Sequence, residues 1–102
     1  MPWAFKFKIM DKLSKPIAFS KHSLLRIKER KTTKQEVIEA IREGGWQPAQ
    51  KGRLTCSKVF LFEKEHYGRY YKYKEVVPIF IEEKEQILVI TVYTFFKGGK
   101  DD

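Results

Sequence analysis

The spacing of hydrophobic positions changes twice along this chain. Trp3, Phe5, Phe7 and Ile9 alternate with Ala4, Lys6, Lys8 and Met10, the two-residue period of a half-buried strand. Asp11 to Pro16 reads as a turn, and Ser20 stands as an N-cap before helix-tolerant residues that carry a first helix to about Lys31. Thr33 with Glu36, or Thr32 with Gln35 one residue earlier, forms a capping box for a second helix. Its core face is Val37, Ile38 and Ile41, and Gly44-Gly45 ends it. So short a join between the helices predicts an angled or antiparallel pair.

From Trp46 the period returns to two. Leu54, Cys56, Phe60 and Phe62 share one face of a segment running to about Glu63, and Glu65 to Gly68 is a turn. Arg69 to Glu82 alternates next, with Tyr71, Tyr73, Val77, Ile79 and Ile81 against Tyr70, Lys72, Lys74, Val76 and Phe80. Glu83 to Gln86 turns the chain into Ile87 to Phe96, which is apolar on both faces and therefore an interior strand. Pro78 lacks an N–H and is expected at a bulge or an edge. This order predicts an α+β fold in which an N-terminal strand and two helices pack on one face of a twisted, mainly antiparallel sheet of three to five strands. Residues 1–97 form one domain in this reading, with 98–102 a frayed tail.

At 102 residues, 42% apolar and 15% aromatic, the chain supports one packed core and one site. Cys56 is its only cysteine, which rules out an intramolecular disulfide or a cysteine zinc site and fits a cytoplasmic setting. The stretch from Ile87 to Phe96 is too short to cross a membrane as a helix, and lysines interrupt the apolar residues near Met1. No membrane partner is expected. Phosphate-binding glycine loops, nucleophile elbows and clusters of metal ligands are missing from the pattern, so neither a cofactor nor a metal is expected.

Net charge is +8, all of it carried by the first 35 residues, since the acids and bases of the remainder cancel. Residues 51–74 form a second basic segment, with seven cations against Glu63 and Glu65. Brought to one side, the two segments suit a polyanion; kept apart, they are a solvated surface.

His22, Arg26 and Arg30 recur every four residues and lie on one stripe of the first helix, about 12 Å long. An imidazole and two guanidiniums so spaced can face adjacent phosphates, with Lys21 beside them. The same spacing also suits a solvated face on which the arginines pair with Glu29 or with strand carboxylates. Thr91 and Tyr93 share a face of the last strand, where they either complete the core or offer hydroxyls to phosphate. Arg69-Tyr70-Tyr71-Lys72-Tyr73-Lys74 interleaves cations with aromatics, so that Tyr70, Lys72 and Lys74 line one face for nucleic acid, or simply the outside of a half-exposed strand. His66 reads as a plain exposed turn residue, with a role as acid partner the lesser alternative.

Phe19-Ser20-Lys21-His22, Arg26, Arg30, Val37 and Ile90-Thr91-Val92-Tyr93 together resemble the domain-of-unknown-function 4258 family. That family's pattern is F-S-x-H-x3-R-x3-R, a second helix, and a closing V-I-T-V-Y strand. The resemblance covers residues 19 to about 95. It departs at Lys31-Thr32, where the family has Gly and an apolar residue, and it does not extend to residues 1–16. The order of elements is also similar to that of RelE-like toxin ribonucleases, a likeness of fold alone.

The resemblance implies a metal-independent endoribonuclease of toxin type, in which the ribose 2′-hydroxyl attacks the adjacent phosphate. His22 would be the base, Arg26 and Arg30 would stabilise the phosphorane, and Tyr93 would position the phosphate or act as acid. RNA, possible association with the ribosome and a cognate antitoxin are the implied partners. The competing expectation is a non-catalytic module that uses the same basic surface to bind nucleic acid or dock an antitoxin. Catalysis requires the helical stripe and Tyr93 to open onto one groove, with Leu24 and Ile27 facing the sheet.

Overall fold

Ser20 begins the first helix and also fixes it to the sheet. In the computed structural model, which describes residues 15–99, its Oγ accepts from the Ser23 backbone N–H at 3.0 Å and donates to the Ile90 carbonyl at 3.1 Å. Just before it lies strand β1 (Ile17–Phe19), parallel to the last strand and paired Ile17 to Ile87 through Phe19 to Val89. The strand expected at Trp3 to Ile9 lies outside the described residues. β1 is the N-terminal strand of the described fold, and its three residues carry no alternation that would announce it.

Helix α1 (Lys21–Glu29) turns Ser23 and Ile27 inward, one turn apart. Leu24, expected against the sheet, is exposed because one residue on from Ser23 is about 100° around the helix. The helix ends at Arg30 with Lys31 at φ 55°, and the Thr32 N–H reaches back to the Ile27 carbonyl at 3.3 Å. This is a Schellman stop, with a lysine in the left-handed conformation that glycine accepts more readily. Helix α2 (Lys34–Glu43) takes the later of the two capping registers, the Thr33 hydroxyl accepting from the Glu36 N–H at 3.1 Å.

The sheet continues through β2 (Gln47–Pro48), β3 (Leu54–Thr55), β4 (Lys58–His66), β5 (Arg69–Glu82) and β6 (Ile87–Lys97). Six strands are present among the described residues, all paired antiparallel except β1 with β6. β3 and β4 hold the same register against β5, so they are one extended run interrupted at Cys56-Ser57, opposite Pro78. The Pro78 carbonyl accepts from Thr55 Oγ1 at 2.9 Å on that side, and the missing proline N–H leaves the gap in the ladder. β4 and β5 run on to a tight turn at Tyr67-Gly68.

Both helices pack on one face of the sheet. Val37, Ala40 and Ile41 of α2 and Ile27 of α1 meet Val76, Phe80, Ile87, Val89 and Val92, and Trp46 stacks edge-on against Phe80 at 5.1 Å. The opposite face carries no helix among the described residues. The fraying expected from Gly98 does not start there. Its carbonyl accepts from the Lys72 N–H at 3.2 Å and Gly99 is buried, so the chain continues along β5 past the end of β6.

Candidate nucleic-acid interface

One extra residue in β6 decides which face Thr91 and Tyr93 occupy. Phe80 pairs with Val89 and Ile79 with Thr91, leaving Ile90 as a bulge held by the Ser20 hydroxyl. A single inserted residue inverts the parity of everything after it. Ile87 and Val89 face the helices, but beyond the bulge it is Val92 that does so. Thr91 and Tyr93 therefore stand on the helix-free face beside Ile79 and Val77.

On that face Ile79, Thr91 and Tyr93 floor an open groove of about 390 Å³. Its wall is the segment Ala49 to Arg53, a 3₁₀ turn that brings Lys51 and Arg53 to the groove. Lys51 has φ 60° and ψ 36°, a left-handed conformation uncommon for a side chain with a Cβ and one that tends to cluster at functional sites. The lining has two cations and no carboxylate. In the sequence Lys51 and Arg53 register only as two of the seven cations of the basic segment 51–74.

Arg30 reaches the same face from the other side. β1 pairs with β6 only as far as Val89, so the outer edge of β6 beyond that point is bordered by α1. There Arg30 Nη1 donates to the Val92 carbonyl at 2.7 Å, its guanidinium lies 4.8 Å from the Tyr93 ring centre, and Thr94 Oγ1 donates to the Arg30 carbonyl at 2.9 Å. The Tyr93 ring thus has a guanidinium on one side and the groove on the other.

The remaining members of the helical stripe do not join this contact. Arg26 is paired with Glu29, the solvated-face arrangement open to it from the sequence, and His22 is exposed on the first turn of α1. Lys21 is exposed beside His22.

The cation-aromatic segment divides. Arg69 lies 5.5 Å from the Tyr71 ring and Lys72 5.7 Å from the Tyr73 ring, both exposed, while Tyr70 is half-buried. Arg69 is eight residues along β5 from Val77, the cross-strand partner of Tyr93, or about 26 Å of strand. Lys74 points to the helix side and is 5% exposed. Its Nζ bonds Glu36 Oε1 at 2.7 Å and the Lys31 carbonyl at 2.8 Å, and Thr32 Oγ1 donates to the same Glu36 oxygen at 3.0 Å. Lys74 is therefore corrected from a nucleic-acid contact to a buried anchor between β5 and α2. Its ammonium is spent on a carboxylate and a carbonyl.

His66 is also not the exposed turn residue expected. Its ring stacks 4.1 Å from Phe96 and its Nδ1 is buried with no hydrogen-bond partner. Loss of hydration, and secondly the charge of Lys31, hold its pKa below the ordinary histidine value. Among the described residues no three His, Cys, Asp or Glu side chains gather as a metal site, and no helix is long and apolar enough to cross a membrane.

No family model, curated protein or solved structure matches this chain. Its likeness to the domain-of-unknown-function 4258 family rests on the quoted residues alone.

Proposed function

We propose that this protein binds single-stranded RNA without cleaving it, through the groove on the helix-free face. The observation that carries this reading is the composition of the groove, with an apolar and aromatic floor of Ile79 and Tyr93 between Lys51 and Arg53 on one side and Arg30 on the other. Bases stack on such floors while flanking cations follow the phosphates. The Thr91 hydroxyl adds a donor and acceptor at the floor, which suits ribose or phosphate oxygen.

The distance along α1 favours binding over catalysis. His22 and Arg30 are eight residues apart, about 12 Å of helix, and it is Arg30 that touches Tyr93. A base and an acid acting on one phosphodiester must each come within about 3 Å of its reacting atoms. About two turns of helix between His22 and the residue that touches Tyr93 count against that.

Fluorescence anisotropy with labelled single-stranded RNA, across a range of salt concentrations, tests the reading. Lys51→Ala and Arg53→Ala should each weaken binding and lower the slope of log affinity against log salt by about 0.7 per lost phosphate contact. The reading fails if the protein does not bind RNA at low salt, or if neither variant changes the slope. Cleavage of RNA in EDTA that His22→Ala abolishes would put the ribonuclease in its place.

A further inference from the structure

Past the groove, toward the β4–β5 hairpin, the helix-free face changes character. Two cross-strand rows lie there, Leu61, Tyr73 and Lys97 in one and Val59, Glu75 and Phe95 in the next. Val59, Leu61 and Phe95 are 52%, 62% and 50% exposed, and Tyr73 is 39% exposed. Scattered surface hydrophobics are ordinary, but four large ones in adjoining rows form the contiguous kind of patch that marks an interaction surface. The charges of the two rows are Glu75 and Lys97, joined Oε1 to Nζ at 2.7 Å, and the Lys72 ammonium stands at the rim, 5.7 Å from the Tyr73 ring.

We propose that this patch is the contact surface of a homodimer, in which a two-fold axis brings Lys97 of one protomer against Glu75 of its partner. The charge pattern selects a second copy over other occupants. A polyanion laid across the two rows meets the Glu75 carboxylate, whose pKa Lys97 holds below the ordinary range by hydrogen bonding. A two-fold contact must be self-complementary, and one acid and one base in adjoining rows meet that condition, with Lys72 left at the rim. The Lys97 side chain is 55% exposed although paired, and its ammonium has donors remaining for a second carboxylate. Val59, Leu61, Tyr73 and Phe95 would supply the apolar part of the contact. The proposal does not depend on RNA binding, since the groove and the patch share no lining residue.

Sedimentation equilibrium of the full chain decides it. The unmodified protein should show a reversible monomer-dimer equilibrium that Leu61→Asp shifts to monomer, and a circular dichroism melt should show Leu61→Asp still folded. Lys97→Glu and Glu75→Lys should each weaken self-association by about tenfold or more, because like charges then face one another across the axis. Mixed together, the two variants should associate, since the doubly acidic patch of one meets the doubly basic patch of the other. An intramolecular role for the pair predicts no such rescue. The proposal is overturned if the unmodified protein is monomeric, if the mixed variants fail to associate, or if the protein is monomeric and Leu61→Asp instead lowers RNA affinity.

Discussion

Arg30 and Tyr93 meet across the edge of β6, the guanidinium carbon 4.8 Å from the ring centre while Nη1 donates 2.7 Å to the intervening Val92 carbonyl. One side chain thus joins the end of α1 to the helix-free face. Arg30→Ala should destabilise the fold by about 2 kcal/mol, combining a charged hydrogen bond with a cation–π contact. Arg30→Lys should recover less than half of that, because an ammonium cannot bond the carbonyl and stack as a plane together. Urea unfolding of both variants measures the loss, and a double-mutant cycle with Tyr93→Leu isolates the ring contact.

Lys74 and Glu36 set a second expectation. The pair is largely withdrawn from solvent, with side-chain exposures of 7% and 23%, and Glu36 accepts from Lys74 and Thr32 at once. Lys74→Met fills similar space but leaves the carboxylate short of its cation, so it should cost about 3 kcal/mol. Lys74→Met with Glu36→Leu should regain most of that loss. Thermal melts give the stabilities. RNA affinity measured below the melting range should be unchanged in the double variant, as expected of an anchor remote from the bound strand.

What could be read along the chain, and what could not, divides by how local its cause is. The caps at Ser20 and Thr33 and the stop before Gly44 follow from chemistry within a few residues, and all are present. The parallel pairing of β1 with β6 spans 70 residues, and the Ile90 bulge shows only against the register of β5. That bulge settles which face Thr91 and Tyr93 occupy, so the site could not be assembled from alternation alone. Lys74 looks like any strand lysine because its carboxylate partner is 38 positions away. The gathering of Lys51 and Arg53 at Tyr93 is likewise a product of tertiary folding.

His66 predicts a pH dependence. Its pKa lies below the ordinary value, chiefly from desolvation, so the unfolded chain takes up a proton first as pH falls. The stabilisation is therefore complete above about pH 6.5 and declines as pH drops from there through the folded value. His66→Phe keeps the stack on Phe96 and removes the unpartnered Nδ1. It should raise stability by about 1 kcal/mol and flatten the melting temperature between neutral and mildly acidic pH. Glu75 is depressed too, by its hydrogen bond from Lys97, but loses its share only lower, in the carboxylate range. A melting series across pH in both backgrounds separates the two.

Lys51 should show stability and binding moving in opposite directions. At φ 60° and ψ 36° its Cβ crowds the following carbonyl, an arrangement that costs roughly 1–2 kcal/mol for an L-residue and little for glycine. Lys51→Gly relieves this strain but widens the unfolded ensemble, so the net gain should be up to about 1 kcal/mol. The same variant removes one of the two cations at the groove wall and should weaken RNA binding. Lys51→Ala is the control, losing the charge while keeping the Cβ. Both variants should therefore lose the same affinity and the same salt slope, and only the glycine should gain stability in urea. Equal stabilities would mean that the loop relaxes without cost, and unchanged RNA affinity in both would remove Lys51 from the proposed interface.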